Sequence, residues 1–191
     1  GVNIGQFFHL AHRLWPEAQL IGIEPAPALH GKMRSIYHGD SRVTLHRCAA
    51  GAKDGEADFH LTRNHQNSSL LPPSASFADD RPADGVIATQ KVRVRRMETL
   101  LQGAAGPFLV KIDVQGAELD ALNGFGGRLA DIAVLIVEAP FESAYDGGSN
   151  FDDLYRFLTA NGFDYAGPLG MLTSKATGRV RQEDAVYVRR V

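Results

Sequence analysis

Hydrophobic residues follow two periodicities along the chain, one typical of amphipathic helices and one typical of buried strands. Apolar positions at helical spacing predict helices over residues 5–15, 26–37, 116–125 and 150–162. Short apolar or alternating runs predict strands within residues 19–25, 42–51, 56–62, 86–101, 108–114, 132–138, 163–167 and 184–191. This alternation of strands and helices, with a strand pair at the end, is typical of a doubly wound α/β sheet.

The predicted fold is therefore α/β, with a mostly parallel doubly wound sheet and an antiparallel strand pair at its C-terminal end. The Asp54-Gly55 turn predicts an inserted hairpin between strands 42–51 and 56–62. No strand precedes the loop at residues 1–5, so we expect the first, central strand to lie upstream of Gly1 as a short apolar segment that ends in an acid. No repeat or linker divides the chain, which predicts one domain over residues 1–191.

The composition and charge of the chain restrict the classes of binding partner that we expect. Twenty-two acidic residues against 20 basic ones give no overall field that would attract nucleic acid or an anionic membrane. One cysteine excludes an internal disulfide and favours a reducing compartment, so we expect a cytoplasmic protein. No apolar run is long enough for a membrane span. The oligomeric state stays open.

The segment GVNIG at residues 1–5 precedes the first helix, as a ligand-binding loop does in such sheets. Gly1, Asn3 and Gly5 tolerate unusual backbone angles, and they lack the G-x-G-x-x-G spacing that serves a pyrophosphate. S-adenosylmethionine carries a carboxylate, an ammonium and a ribose instead, so it suits this loop better than a dinucleotide. A simple helix N-cap turn explains the loop alone equally well.

An acid and a proline, Glu24 and Pro25, close the second strand-like run. Glu24 follows Gly5 at about the separation from which an acid reaches the ribose hydroxyls of a nucleotide cofactor. The loop, the spacing, the acid and the proline together favour a cofactor site over a solvated strand end. Cys48 and Ala49 are small enough at the next strand end to admit a flat adenine, although tight packing under a helix explains them equally well.

Lys111 and Asp113 lie two positions apart and therefore on one face of their strand. Burying a lysine is costly unless it is paired, so we expect Lys111 to contact Asp113 and keep it ionised. Glu138 closes the neighbouring strand. Two such carboxylates are suited to orient a hydroxyl, take its proton or hold a divalent cation. Glu118, in the first turn of the next helix, is expected to complement the helix dipole.

Residues 63–85 form a polar, Ser- and Pro-rich segment that is long for a connection inside one domain, so we predict a lid. His65 lies in this candidate lid and is the one histidine that we consider for the site. The other histidines show no metal-ligand spacing, so no metal site is predicted. The basic residues over 91–96 favour a solvated strand face, because no stacking aromatic residues interleave with them.

Several motifs together resemble the FkbM family of S-adenosylmethionine-dependent methyltransferases over nearly the whole chain. They are GVNIG, IEPAP, NSSLL, METLL, KIDVQGAELDAL and VEAPFESAY, of which KID-x-x-GAE is the most specific. The chain departs from the family's D-x-G-A-N-x-G loop in two ways: Val2 stands in place of alanine, and no acid precedes Gly1.

The resemblance implies a class I, Rossmann-like methyltransferase fold and transfer of a methyl group to a hydroxyl of a sugar, glycan or polyketide-like molecule. It assigns Gly1, Asn3 and Gly5 to the amino-acid end of S-adenosylmethionine, Glu24 to its ribose, and Asp113 to the region of the transferred methyl group. Asp113 is then the expected proton acceptor, with Glu138 assisting.

In this interpretation residues 63–85, including Ser68 and Ser69, bind the acceptor as a lid. Three alternatives stay open at this point. They are a nicotinamide oxidoreductase, a non-catalytic module that retains the cofactor fold, and metal-assisted methyl transfer through Asp113 and Glu138.

Overall fold

A computed structural model describes residues 1–75, 77, 83–174 and 177–190. The elements of the first part are α1 (Gln6–Leu14), β1 (Leu20–Ile23), α2 (Pro27–Ile36), β2 (Val43–His46), β3 (Ala49–Ala50), β4 (Gly55–Thr62) and a 3₁₀ turn (His65–Asn67). The second part contains β5 (Val86–Arg95), α3 (Met97–Leu100), β6 (Phe108–Ile112), α4 (Glu118–Asn123), a second 3₁₀ turn (Gly126–Asp131), β7 (Ile132–Pro140), α5 (Phe151–Ala160), β8 (Phe163–Thr173) and β9 (Val180–Arg189).

The strands form mixed sheets. β1 pairs with β2 in parallel, and β5 lies between β3, which is parallel to it, and β4, which is antiparallel. The largest sheet has the order β6-β7-β9-β8, in which only β6 and β7 are parallel. The predicted α/β class and the antiparallel C-terminal strand pair, β8 with β9, are confirmed. The sheets are mixed rather than mostly parallel, because β4 runs against β5 and β9 runs against β7.

The predicted hairpin also has a different partner. β4 pairs with β5, from Gly55 opposite Val94 to Thr62 opposite Val86, rather than with the strand before the Asp54-Gly55 turn. That preceding segment is divided into β2 and β3, which belong to different sheets. The two strands match on both faces of the sheet. On the buried face the apolar residues of β4 and β5 pack against Ala49, and on the solvent-exposed face Lys91 forms an ion pair with Asp58.

The main hydrophobic core lies between the largest sheet and helices α4 and α5. It includes the fully buried Leu135, Leu154, Leu158 and Tyr187. The capping box of α5, in which Asn150 and Asp153 bond to each other's backbone N–H groups, fixes where the helix begins. The bounds of the four predicted helices agree with the periodicity to within two residues at each end.

β1 and β6 face each other without forming a strand pair among the described residues. The start of the chain bridges their carboxyl ends: the Val2 N–H donates to the Ile23 carbonyl over 2.9 Å, and the Gly1 amino group donates to the Asp113 carbonyl. Beneath this bridge a cavity separates the two strands. A further strand in that space stays a prediction.

The end of α4, at Gly124, meets the backbone that follows β3. A Cβ atom there would lie 2.3 Å from the Gly51 carbonyl oxygen. Gly31, inside α2, has nothing within 4 Å of its Cβ position. Packing therefore requires a glycine at position 124 but not at position 31, and substitutions at the two positions can be compared.

We expect Gly124→Ala to destabilise the protein by about 1–3 kcal/mol, because backbone must shift to accommodate the methyl group. Gly31→Ala is the control and is expected to stabilise by about 0.5–1 kcal/mol, because alanine favours the helix interior. Urea unfolding measures both changes. Equal midpoints for the wild type and Gly124→Ala would contradict the described contact.

Candidate active site

The carboxyl ends of β1, β3 and β6 open onto one cavity of about 1410 Å³. It extends from the strand ends down between β1 and β6. Most of the predicted site residues line it: Gly1, Asn3, Glu24, Pro25, Ala49, His65, Ser68, Lys111, Asp113 and Glu138. Cavities of this kind at the strand ends of an open α/β sheet are where ligands usually bind.

The opening loop has the strained backbone that its residue types predicted. Asn3 has a φ of 53° and Gly5 a φ of 90°. The Asn3 side chain accepts the Ile4 N–H over 2.7 Å, which stabilises its left-handed conformation. At Gly5 a Cβ atom would lie 2.8 Å from the Met33 side chain, so a larger residue would displace the loop. Gly5 is thus required by the turn, although it does not line the cavity.

Glu24 ties this loop to the end of β1. The residue is only 5% exposed, and its two carboxylate oxygens accept the N–H groups of Asn3 over 2.7 Å and Ala26 over 2.9 Å. A carboxylate has about four lone-pair positions, so further hydrogen bonds from a ligand diol are available to it. A Cβ atom on Gly1 would lie 3.5 Å from Glu24 Oε2, which shows how closely the chain passes the carboxylate.

Lys111, Asp113 and Glu138 converge at the opposite side of the cavity. The Lys111 ammonium lies 3.6 Å from Asp113, as expected, but its shorter contact is with Asp184 on β9, at 2.8 Å. The sequence did not indicate this partner because strand register across the sheet is not visible in a single strand. The Asp113 side chain remains 40% exposed and faces the cavity.

The two carboxyl groups have pKa values displaced in opposite directions. Burial opposes ionisation of Asp113, but the positive charge of Lys111 and the hydrogen bond from Gln115 favour the charged form, and the pKa of Asp113 lies below its usual value. Burial, followed by the negative charges of Asp113 and Glu118, raises the pKa of Glu138 to about 8. At neutral pH Asp113 is therefore ionised while Glu138 retains a proton.

Glu118 has a larger structural role than complementing a helix dipole. It is fully buried, and its Oε1 atom accepts the N–H groups of Val114 and Gly116, each over 3.1 Å. Its other oxygen accepts the Ser149 hydroxyl over 3.2 Å. Burial raises the pKa of Glu118, against the effect of these backbone bonds. The predicted role is thus incomplete: the carboxyl group fixes the loop that follows Asp113.

The candidate lid contacts the site through its first residues, and its residues 76 and 78–82 lie outside the described part of the chain. The His65 carbonyl accepts the Asn3 side-chain N–H over 3.3 Å. The Ser68 hydroxyl accepts the Thr62 N–H, and the buried Ser69 hydroxyl donates to the Gln115 carbonyl. These bonds favour a structural role for both serines, and acceptor binding by them stays a prediction.

Cys48 is not among the cavity-lining residues, unlike its neighbour Ala49. It is buried, and this burial raises the pKa of its thiol to about 11. An un-ionised thiol is a poor nucleophile, in agreement with the predicted structural role. We therefore omit Cys48 from the adenine contacts and retain Ala49.

Two residues that the sequence did not single out hold the carboxyl pair. Gln115 donates to both Asp113 and Glu138, and Gln182 on β9 donates to the other oxygen of Glu138. Gln115 lies inside the KIDVQGAE motif, and this position could have identified it as a site residue. No sequence signal marked Gln182, because only the antiparallel register of β9 against β7 brings it to Glu138.

Comparisons with known proteins show the family of the chain. The sequence profile of the methyltransferase FkbM domain matches residues 1–165. The chain belongs to the FkbM methyltransferase family. Its fold is similar to that of a solved FkbM methyltransferase from Methylobacillus flagellatus KT, with a TM-score of 0.61 and 16% identity over 98% of this chain and 41% of that one.

Two curated methyltransferases show the same relationship in sequence. Methyltransferase 1 of Beauveria bassiana is 28% identical, over 87% of this chain and 71% of that protein. The 2-O-methyltransferase NoeI of Sinorhizobium fredii is 26% identical, over 77% of this chain and 64% of that protein. The chain thus spans roughly two thirds of these FkbM-related proteins' length.

Within the described residues, no group of three or more His, Cys, Asp or Glu side chains is arranged to hold a metal ion. Likewise, none of the helices in the described ranges has the length and apolar character needed to cross a membrane.

The raised pKa of Glu138 predicts a pH dependence of stability. Between the ordinary glutamate pKa of about 4.5 and the folded value of about 8, the folded state holds a proton that the unfolded state has lost, so stability falls as pH rises. In Glu138→Gln this dependence disappears. We therefore expect the difference in unfolding free energy, wild type minus variant, to decrease from pH 5 to pH 8 and to level off above that.

The control is Glu142→Gln, which changes an exposed glutamate near the end of β7. Urea unfolding at several pH values should give the wild-type slope for this control. A wild-type slope in Glu138→Gln as well would contradict a proton held on Glu138.

Proposed function

We propose that the chain is an S-adenosylmethionine-dependent O-methyltransferase that acts on a hydroxyl of a sugar, glycan or polyketide-like molecule. The observation that carries this proposal is the convergence of the GVNIG loop, Glu24 and the Asp113–Glu138 pair on one cavity. Family membership supports methyl transfer. The name of the related NoeI, a 2-O-methyltransferase, supports oxygen as the acceptor atom.

The charges around the cavity suit this cofactor. Glu24, Asp113 and Glu138 bring carboxyl groups to its wall, and Lys111 is the ammonium beside them. Such a wall favours a ligand with sulfonium and ammonium charges and opposes the pyrophosphate of a dinucleotide. Glu24 retains lone pairs for a ribose diol, and Gly1 and Asn3 expose backbone beside it. The residues therefore fit S-adenosylmethionine.

When bound, S-adenosylmethionine supplies an electrophilic methyl group, which passes to the acceptor oxygen as the carbon–sulfur bond breaks. The chain's contribution is to hold donor and acceptor in line and to exclude water. Asp113, ionised and facing the cavity, accepts the proton of the acceptor hydroxyl. Lys111 and Gln115 hold its carboxylate in place, and Glu138 assists beside it. The segment from His65 to Ser68 lines the same cavity as part of the proposed lid.

Calorimetric titration with S-adenosylmethionine and with NAD tests the cofactor. We expect binding of S-adenosylmethionine only, weakened roughly tenfold to hundredfold in Glu24→Gln because a charged hydrogen-bond acceptor is lost. Glu17→Gln is the matched control at an exposed position and should bind as the wild type does. Tight NAD binding would favour an oxidoreductase instead.

Transfer of radiolabelled methyl groups from S-adenosylmethionine to a panel of sugars and oligosaccharides tests the reaction. With an acceptor found in this way, Asp113→Asn at saturating cofactor should lower turnover by about 10²–10⁴-fold, because the proton acceptor is missing. Full turnover in this variant would show that Asp113 is not the base. Loss of turnover on adding a chelator would support the metal-assisted alternative.

A further inference from the structure

A single side-chain amide bridges the two carboxyl groups of the site. The Gln115 Nε2 atom lies 2.8 Å from Asp113 Oδ1 and 2.7 Å from Glu138 Oε2. An amide nitrogen carries two hydrogens, so each carboxyl group receives one of them. The opposite orientation would direct the amide oxygen at the Asp113 carboxylate, which only accepts hydrogen bonds, and is disfavoured. Both donor positions of Gln115 are thus committed to the pair.

The backbone of Gln115 is held in an unusual conformation for this purpose. Its φ is 59°, a left-handed value that non-glycine residues rarely adopt. The flanking N–H groups of Val114 and Gly116 are fixed by the buried Glu118, and the Ser69 hydroxyl donates to the Gln115 carbonyl over 2.6 Å. Strain of this kind persists only where the surroundings determine it, and it is concentrated at functional sites.

The oxygen of the Gln115 amide also has a hydrogen-bond partner, the hydroxyl group of Tyr145. The Tyr145 hydroxyl lies 2.8 Å from Gln115 Oε1 and 2.8 Å from the Asn67 carbonyl oxygen. Its single proton serves one of these acceptors at a time. Asn67 belongs to the candidate lid, so Tyr145 connects the lid to the amide that holds the carboxyl pair.

We propose that Gln115 is a positioning residue, whose amide fixes Asp113 and Glu138 relative to each other and determines how one proton is divided between them. This inference rests on the proposed methyl transfer, in which Asp113 receives the hydroxyl proton. Gln115 acts through the two carboxyl groups and not on the reacting atoms.

Hydrogen bonds donated to a carboxyl group favour its ionised form. Removal of the amide should therefore make both groups harder to ionise. The same pair is also influenced by the other charged side chains around it, which stay in place in the variants below: Lys111 on β6, Asp184 on β9 and Glu118 on α4.

Carbon-13 NMR of glutamate labelled at the side-chain carboxyl measures the effect directly in the free protein. The signal of Glu138 is assigned by its absence in Glu138→Gln, and its titration midpoint is then compared in Gln115→Met and Gln115→Asn. Methionine keeps the length of the side chain without the amide. Asparagine keeps an amide and tolerates the left-handed backbone, but is too short to bridge the pair.

In both variants we expect the midpoint of Glu138 to rise by about one pH unit, the effect of one lost charge-assisted hydrogen bond. Gln90→Met is the matched control, because Gln90 Nε2 is buried and has no hydrogen-bond partner among the residues that the structure describes. It should leave the midpoint unchanged. Thermal unfolding shows whether each variant folds. If one of the two Gln115 variants does not fold, the midpoint of Glu138 in the other variant tests the proposal.

An unchanged or lowered midpoint in the folded variants would overturn the proposal. The titration needs neither cofactor nor acceptor, so its result is separate from that of the calorimetry with S-adenosylmethionine. If the protein binds the cofactor but the midpoint of Glu138 is unchanged, the role of Gln115 is refuted and the proposed function is not. A raised midpoint without cofactor binding would refute the proposed function and leave the hydrogen-bond role intact.

Discussion

The structure depends on how four carboxyl groups are accommodated at one edge of the sheets. Glu24 and Asp113 directly follow β1 and β6, Glu118 begins α4, and Glu138 lies near the carboxyl end of β7. Burial opposes ionisation of Asp113, Glu118 and Glu138. Three kinds of contact stabilise the four groups. Backbone N–H groups serve Glu24 and Glu118, Lys111 serves Asp113, and side-chain amides serve Glu138.

These contacts also define the site. The hydrogen bonds to Glu24 hold the opening loop against the end of β1, and those to Glu118 hold the loop after β6. The cavity between the two loops is therefore rimmed by carboxyl groups that are fixed before any ligand binds. A preorganised acidic rim suits a cationic cofactor and a neutral hydroxyl acceptor, because little reorganisation is needed when the ligands bind. In the proposed methyl transfer, Asp113 is the ionised group of the Asp113–Glu138 pair and would receive the hydroxyl proton.

The sequence predicted the local elements and most of the candidate residues that line the cavity, and it failed where distant segments had to be placed together. Helical periodicity and capping signals are local, so α1, α2 and α5 were found nearly at their observed bounds. Strand-end acids were found for the same reason. The partner of β4 and the contact between Lys111 and Asp184 depend on register between segments far apart in the chain, which no local pattern encodes. Gln115 was overlooked because its residue type carries no charge, although the motif around it was recognised.

The most direct test of the account is a crystal structure with S-adenosylhomocysteine bound. The account predicts that the ribose hydroxyls donate to the Glu24 carboxylate, that the amino-acid end lies along the Gly1–Gly5 loop, and that the sulfur faces the side of the cavity with Asp113 and Glu138. A ligand bound elsewhere, or one whose ribose lies away from Glu24, would contradict the assignment of the cavity as the methyl-transfer site.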